Sequence, residues 1–175
     1  MAKLRKMLGD INSQECISMM RLIETQSEKT LAGWAVSYAK DHYLGIYEKE
    51  CPDDPRLREA VLACESYLGG DKKLSEIKGD LKEAGQIARD AAWNPVAQAA
   101  ARAVSAACSS VRTPTNTLGF LFYGAAAAAY CCHGLDKTAE FYDECAAEEF
   151  RRAYSSLEQA SAPDEPCPAE IKWNC

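Results

Sequence analysis

The chain has 175 residues and a formal charge of -6, from 20 Lys+Arg and 26 Asp+Glu, with 47% apolar and 26% charged residues. That balance excludes a disordered or collagen-like chain, and a chain this long buries roughly 70% of its unfolded surface without needing a disulfide framework. An acidic chain is also a poor non-specific binder of nucleic acid, whose phosphates want a basic face.

Two further features are unusual: 29 alanines, and nine cysteines against two histidines. The cysteine count is odd and the spacings show no repeated pair, which reads as thiols acting as small hydrophobes in a reducing cytoplasm. Residues 1–6 are basic, but Gly9-Asp10 and Glu15 interrupt any apolar run that a secretory signal would need.

Almost every segment carries the 3.6-residue period of a helix. Ser13 is placed to cap a first helix with Cys16, Ile17, Met20 and Ile23 on its apolar stripe, widened by Met19 and Leu22. Ser27 can cap a second, with Leu31, Trp34, Ala35, Tyr38 and Ala39 inward, although the two could also be one rod bent near Thr25. A short helical turn is expected at 43–47, ended by Pro52-Asp53-Asp54-Pro55. A third helix is expected over 56–68, with Leu57, Ala60, Val61, Cys64 and Leu68 on one face and Gly69-Gly70 as its stop.

Ser75 opens a fourth helix that runs to about Trp93. Asn94-Pro95 then reads as a cap followed by a first helical position, starting a fifth helix to about Val111. Thr113-Pro114 repeats that signal and opens a sixth, closed by Gly134. The last helix is expected over 137–160, with Phe141, Cys145, Phe150, Tyr154 and Leu157 inward, followed by an irregular, proline-rich tail over 163–175.

Residues 93–135 contain two charges, Arg102 and Arg112. A pair of helices so nearly uncharged cannot lie on the surface and must be enclosed by the others. Its alanines allow the close approach of helix axes. The stretch 118–135 reaches the short limit of a membrane span, but His133 and three glycines suit a buried central helix better. The fold class expected is all-α: a single-domain orthogonal bundle of six to eight helices around a central alanine-rich hairpin.

Chemistry is harder to locate. His42 and His133 lack a second ligand at metal spacing, and Cys131-Cys132-His133 falls short of the four-ligand pattern of a zinc site. No metal site, cofactor or catalytic set is expected. The hinge 109–117 is polar between two apolar helices. Arg112, Thr115 and Asn116 there, with Arg102, could bind an anion or small ligand, as the site of a helical-bundle enzyme or sensor. The alternative is plain capping by Thr113. Arg102 would need a carboxylate if buried, and Glu24, Glu48 or Glu59 could supply it. Residues 136–175 hold 4 basic and 10 acidic side chains, so the whole net charge resides there. Glu140, Asp143, Glu144 and Glu148 form a candidate face for a basic partner, or simply a solvated one.

The stretches LRKMLGDINSQECISMMRLIETQSEKT, YLGIYEKECPDDPRLREA, AAARAVSAACSSVRTPTNTLGFLFYGAAA and IKWNC resemble the bacterial imm-five-like family of immunity proteins from polymorphic-toxin systems. The resemblance spans nearly the whole chain. It implies a small, all-helical, cytoplasmic protein that neutralises a co-encoded toxin by binding it, without catalysis. Family relatives often carry histidines where this chain has Arg112 and Asn116, so a role resting on those histidines does not transfer. A basic protein toxin is the implied partner, with no nucleic acid or membrane. Association with further copies of the chain is left open.

Overall fold

Eight α-helical segments and one π-helical turn make up the regular structure of residues 3–173, the part described by the computed structural model. In chain order they are α1 Gln14–Ile23, α2 Glu28–Ala39, the π turn Lys40–Leu44, α3 Gly45–Glu50, α4 Arg56–Leu68, α5 Leu74–Asp90, α6 Pro95–Ser109, α7 Asn116–His133 and α8 Ala139–Ala160. The π turn joins α2 to α3 without a break, so the described residues form seven helical rods and no strand. This is the expected all-α orthogonal bundle. Residues 1–2 of the basic start and 174–175 of the tail, Cys175 included, lie outside the described residues.

Three helix starts follow directly from capping chemistry. Ser13 accepts from the Cys16 N–H, Ser27 from Thr30 N–H, and Asn94 from both Val96 and Ala97 N–H. Each satisfies donors that the first helical turn leaves without a partner. The chain does break between α1 and α2, so these are two helices rather than one bent rod.

The alanine-rich hairpin lies at the centre. α6 packs most extensively on α7, and it also touches α2, α3, α4 and α5. α7 meets α1, α2 and α8 on its other sides. Ala97, Ala100, Ala101, Ala103 and Ala107 of α6 are buried, as are Ala125, Ala126 and Ala127 of α7. Side chains this small let the hairpin axes come close, while Leu, Met and aromatic side chains from the surrounding helices supply the bulk.

Several boundaries differ from the sequence pattern. α7 begins at Asn116, two residues after Pro114, and Thr113 does not cap it. The hinge folds instead as a run of tight i→i+3 bonds, Arg112 N–H to Ser109 O (3.1 Å) and Asn116 N–H to Thr113 O (3.0 Å) among them. Thr113 therefore never takes up the role of an N-cap. α5 begins at Leu74 because Glu76 accepts from the Lys73 N–H (2.6 Å), which puts Ser75 inside the helix. α5 ends at Asp90, and 91–93 form a turn.

On α8 the buried stripe is Tyr142, Ala146, Glu149, Phe150, Ala153 and Leu157. Phe141, Cys145 and Tyr154 are half-buried at its edge, so the helix is rotated from the expected register. Tyr142 fixes that rotation, packing edge-on against Tyr130 with ring centroids 5.1 Å apart and donating from its hydroxyl to Gly134 O (2.7 Å).

The tail is irregular in conformation but firmly tied. Ala169 N–H donates to Gln26 O (2.8 Å), and the Gln26 carboxamide both donates to and accepts from the Ala162 backbone. Ser27 and Thr30 hydroxyls donate to Glu165 Oε1 at 2.7 and 2.8 Å. This places a carboxylate at the start of α2, where the helix dipole favours negative charge.

Two glycines differ sharply in what surrounds them. A Cβ added at Gly124 of α7 would overlap the ring of the fully buried Tyr43, whereas one added at Gly33 of α2 would meet nothing within 4 Å. Gly124→Ala is expected to destabilise the fold by about 1–3 kcal/mol, as overpacked cores do. Gly33→Ala should be neutral or stabilise by about 0.5–1 kcal/mol, the usual gain in a helix interior. Urea unfolding midpoints at constant slope check both.

Candidate functional site

The polar hinge between α6 and α7 does not gather all of its expected residues. Arg102 is on α6 seven residues before the helix end, which is about 10 Å along the axis. It is half-buried and pairs with no carboxylate among the described residues. Glu24 is held by Arg21 and Trp173, and Glu48 by Arg58. Arg112 is exposed, and Asn116 takes the first position of α7.

Thr115 lines a groove of about 650 Å³ with Leu118, Gly119 and Phe122 of α7, and the far walls come from Met7, Gly9, Asp10 and Ile11 and from Lys172 and Trp173. Both ends of the described chain thus build one side of this groove. Leu8 anchors the N-terminal wall by donating its N–H to Phe122 O (3.0 Å). Gly9 is needed next to it, because its φ is +119° and a Cβ there would press on Phe150 and Phe122.

The four carboxylates expected to form an acidic face are all exposed on α8. Positions 140, 143, 144 and 148 share one side of the helix by their spacing. Arg5 pairs with Asp143 (2.8 Å), and among the described residues no cation pairs with Glu140, Glu144 or Glu148. Burial, with Glu148 and Glu144 adding to it, raises the Cys145 thiol above its usual range.

The two histidines lie apart, while the Cys64 thiol of α4 donates to Cys108 O of α6 (3.8 Å). His42 lies against Tyr38 (centroids 4.2 Å apart), and His133 meets the Phe141 ring edge at 5.0 Å. Cys64 and Cys108 are buried. Among the described residues no three His, Cys, Asp or Glu side chains converge as metal ligands.

One buried polar group escaped the sequence reading. Glu149, only 3% exposed, accepts from the Tyr38 hydroxyl (2.8 Å) and the Tyr43 hydroxyl (2.7 Å), and Arg152 donates to its other oxygen (3.0 Å). Tyr38 and Tyr43 are five residues apart, which a regular α-helix would place about 140° apart around its axis. The π turn adds a residue to that turn and aligns them on one carboxylate. Burial first, and then the Glu149 charge, push both phenols well above their ordinary range. The available signal was the pair of tyrosines itself, since each buried hydroxyl needs a partner.

An all-helical bundle enclosing an alanine-rich hairpin, with an acidic helix on its exterior, is the class that fold and surface define. Residues 21–160 match the family described as "Imm-5 like putative immunity protein", and the chain belongs to that family. The family's role is immunity through protein binding rather than catalysis, and immunity implies a toxin partner. No curated protein and no solved structure matches the chain.

The Glu149 cluster generates a stability prediction with a defined sign. Glu149→Ala leaves two buried hydroxyls without an acceptor, each costing about 1–3 kcal/mol, while Glu149→Gln retains an acceptor and should lose less. Both phenols are raised in the folded state, so their contribution is complete below the unfolded value near pH 10 and falls as pH rises beyond it. Denaturation at pH 8 through 11 should show this alkaline loss, and the Tyr38→Phe/Tyr43→Phe variant should reduce it.

Proposed function

We propose that this chain neutralises a basic protein toxin by binding it in the cytoplasm, and that α8 presents the contact face through Glu140, Asp143, Glu144 and Glu148. Family membership over residues 21–160 is the observation that carries the reading. The exposure of all four carboxylates on one helix supports the choice of face.

The physical logic is field complementarity. An acidic patch attracts a basic partner before contact, raises the association rate and disfavours like-charged competitors. The contrast between residues 136–175, with 10 acids to 4 bases, and the near-neutral remainder gives the molecule a direction of approach. A nucleic-acid partner does not fit this charge. No helix among the described residues is long and apolar enough to cross a membrane, which agrees with a partner met in solution.

Growth of bacteria expressing the toxin encoded beside this chain, with and without the chain, measures neutralisation directly. Rescue is the expected outcome, and continued growth arrest at full expression of the chain would overturn the proposal. The variant Glu140→Lys/Glu144→Lys/Glu148→Lys should slow association with the toxin about tenfold at low salt, with the difference shrinking as salt is raised. Association as fast as that of the unaltered chain would remove α8 as the contact face.

A further inference from the structure

Trp93 stands in the turn between α5 and α6 with 71% of its surface exposed. The other two tryptophans are engaged. Trp34 is buried and donates its indole N–H to Ser156 Oγ (3.1 Å), and Trp173 donates to Glu24 Oε1 (2.7 Å). The Trp93 indole N–H has no partner among the described residues.

Its exposure does not come from a loose segment. Ala91 N–H donates to Ile87 O (3.0 Å), and Asn94 N–H to Ala91 O (3.0 Å). Asn94 then caps α6 and donates from its amide to Glu50 Oε2 (2.7 Å), which locks the turn against α3. A bulky aromatic with two side-chain torsions on a fixed backbone has little freedom to lose on binding, and tryptophan is enriched among the residues that anchor interfaces.

Beside the indole is a depression of about 420 Å³ walled by Tyr47, Pro52 and Ala91 and edged by Glu50, Asp53, Asp54 and Asp90. Arg56 is the cation of that lining, and it is already engaged by Asp54 (2.8 Å), Asp90 (3.2 Å) and the neighbouring Glu83 (2.7 Å). Glu50 and Asp53 have no cation paired with them among the described residues. An open indole face next to uncompensated carboxylates is complementary to a cationic side chain, held by the ring quadrupole and by the carboxylates together.

We propose that Trp93 and this depression form a second contact site for the protein partner, which inserts an arginine side chain across the indole toward Glu50 and Asp53. The inference rests on the chain's being a protein binder. It adds an anchor that the acidic face of α8 lacks: an aromatic on a fixed turn with its own charge complement. The partner would meet the molecule at two separate places, one supplying attraction at a distance and the other a seat for a particular side chain.

The test titrates the full chain, labelled with ¹⁵N, with a capped tri-arginine peptide and with its neutral isostere, a capped tri-citrulline peptide. Tri-arginine should shift the Trp93 indole N–H resonance saturably, leave those of Trp34 and Trp173 unmoved, and have this effect where tri-citrulline has none. The Glu50→Gln/Asp53→Asn variant should weaken the response about fivefold, the scale of exposed cation–π and charge pairs. Trp93→Ala should abolish the tri-arginine shifts of the Glu50 and Asn94 backbone amides with the thermal midpoint unchanged, since the ring is outside the core. A Trp93 resonance that stays fixed, or that moves equally with citrulline, overturns the proposal. Growth rescue by the unaltered chain reports on toxin neutralisation separately, so failure of this site and failure of the neutralising role are told apart.

Discussion

A single buried carboxylate ties the outer helices to one another. Glu149 of α8 receives two tyrosine hydroxyls from the α2–π–α3 rod, and the rings that carry them stack around Phe120 of α7. Tyr43 can reach this position because Gly124 of α7 presents no Cβ to its ring. The arrangement is demanding: a charge taken out of water must have its lone pairs filled, or it becomes a liability. Two phenols and Arg152 fill them, so the position of α8 over α7 and the conformation of the rod depend on each other.

Most of the architecture was legible because it rests on local rules. Ser13, Ser27 and Asn94 cap as their types suggest, and the near absence of charge over 93–135 identified the enclosed hairpin. What could not be read was where a polar residue faces inward. An apolar stripe drawn through Phe141, Cys145 and Tyr154 has no place for Glu149, and the inward-facing carboxylate belongs to the stripe that the fold buries. Thr113-Pro114 carried a cap signal that the hinge does not use, because consecutive i→i+3 bonds settle the backbone first. The docking of the tail was hidden for a different reason: Glu165 and Trp173 find partners more than a hundred residues away in sequence, at Ser27, Thr30 and Glu24.

The candidate site was legible in part. The carboxylates of α8 lie exposed as their composition implied, while Arg102 and the hinge residues are not drawn together. Trp93 was read as the end of a helix, and nothing in its immediate sequence shows that Glu50 and Asp53 come to lie beside it. Those residues meet only through packing of α3 and α5 on α6. A core of closely packed small residues resists deformation and keeps the outline of the molecule fixed. That rigidity suits a molecule that must fit a partner without rearranging.

The π turn also gives the rod a phase. Everything after Leu44 is set by one extra residue relative to a regular helix, so removing any one residue from Lys40–Leu44 would rotate the rest of the rod by about 100°. Tyr47 would then turn away from Asp54, whose carboxylate it meets at 2.7 Å, and Glu50 away from Asn94. A length change of a single residue here would reach the far end of the bundle, whereas the same change in the Gly69-Gly70 connection would be absorbed locally. The rod is therefore a ruler as well as a wall: its residue count, more than its composition, determines which side chains arrive at the α5–α6 turn.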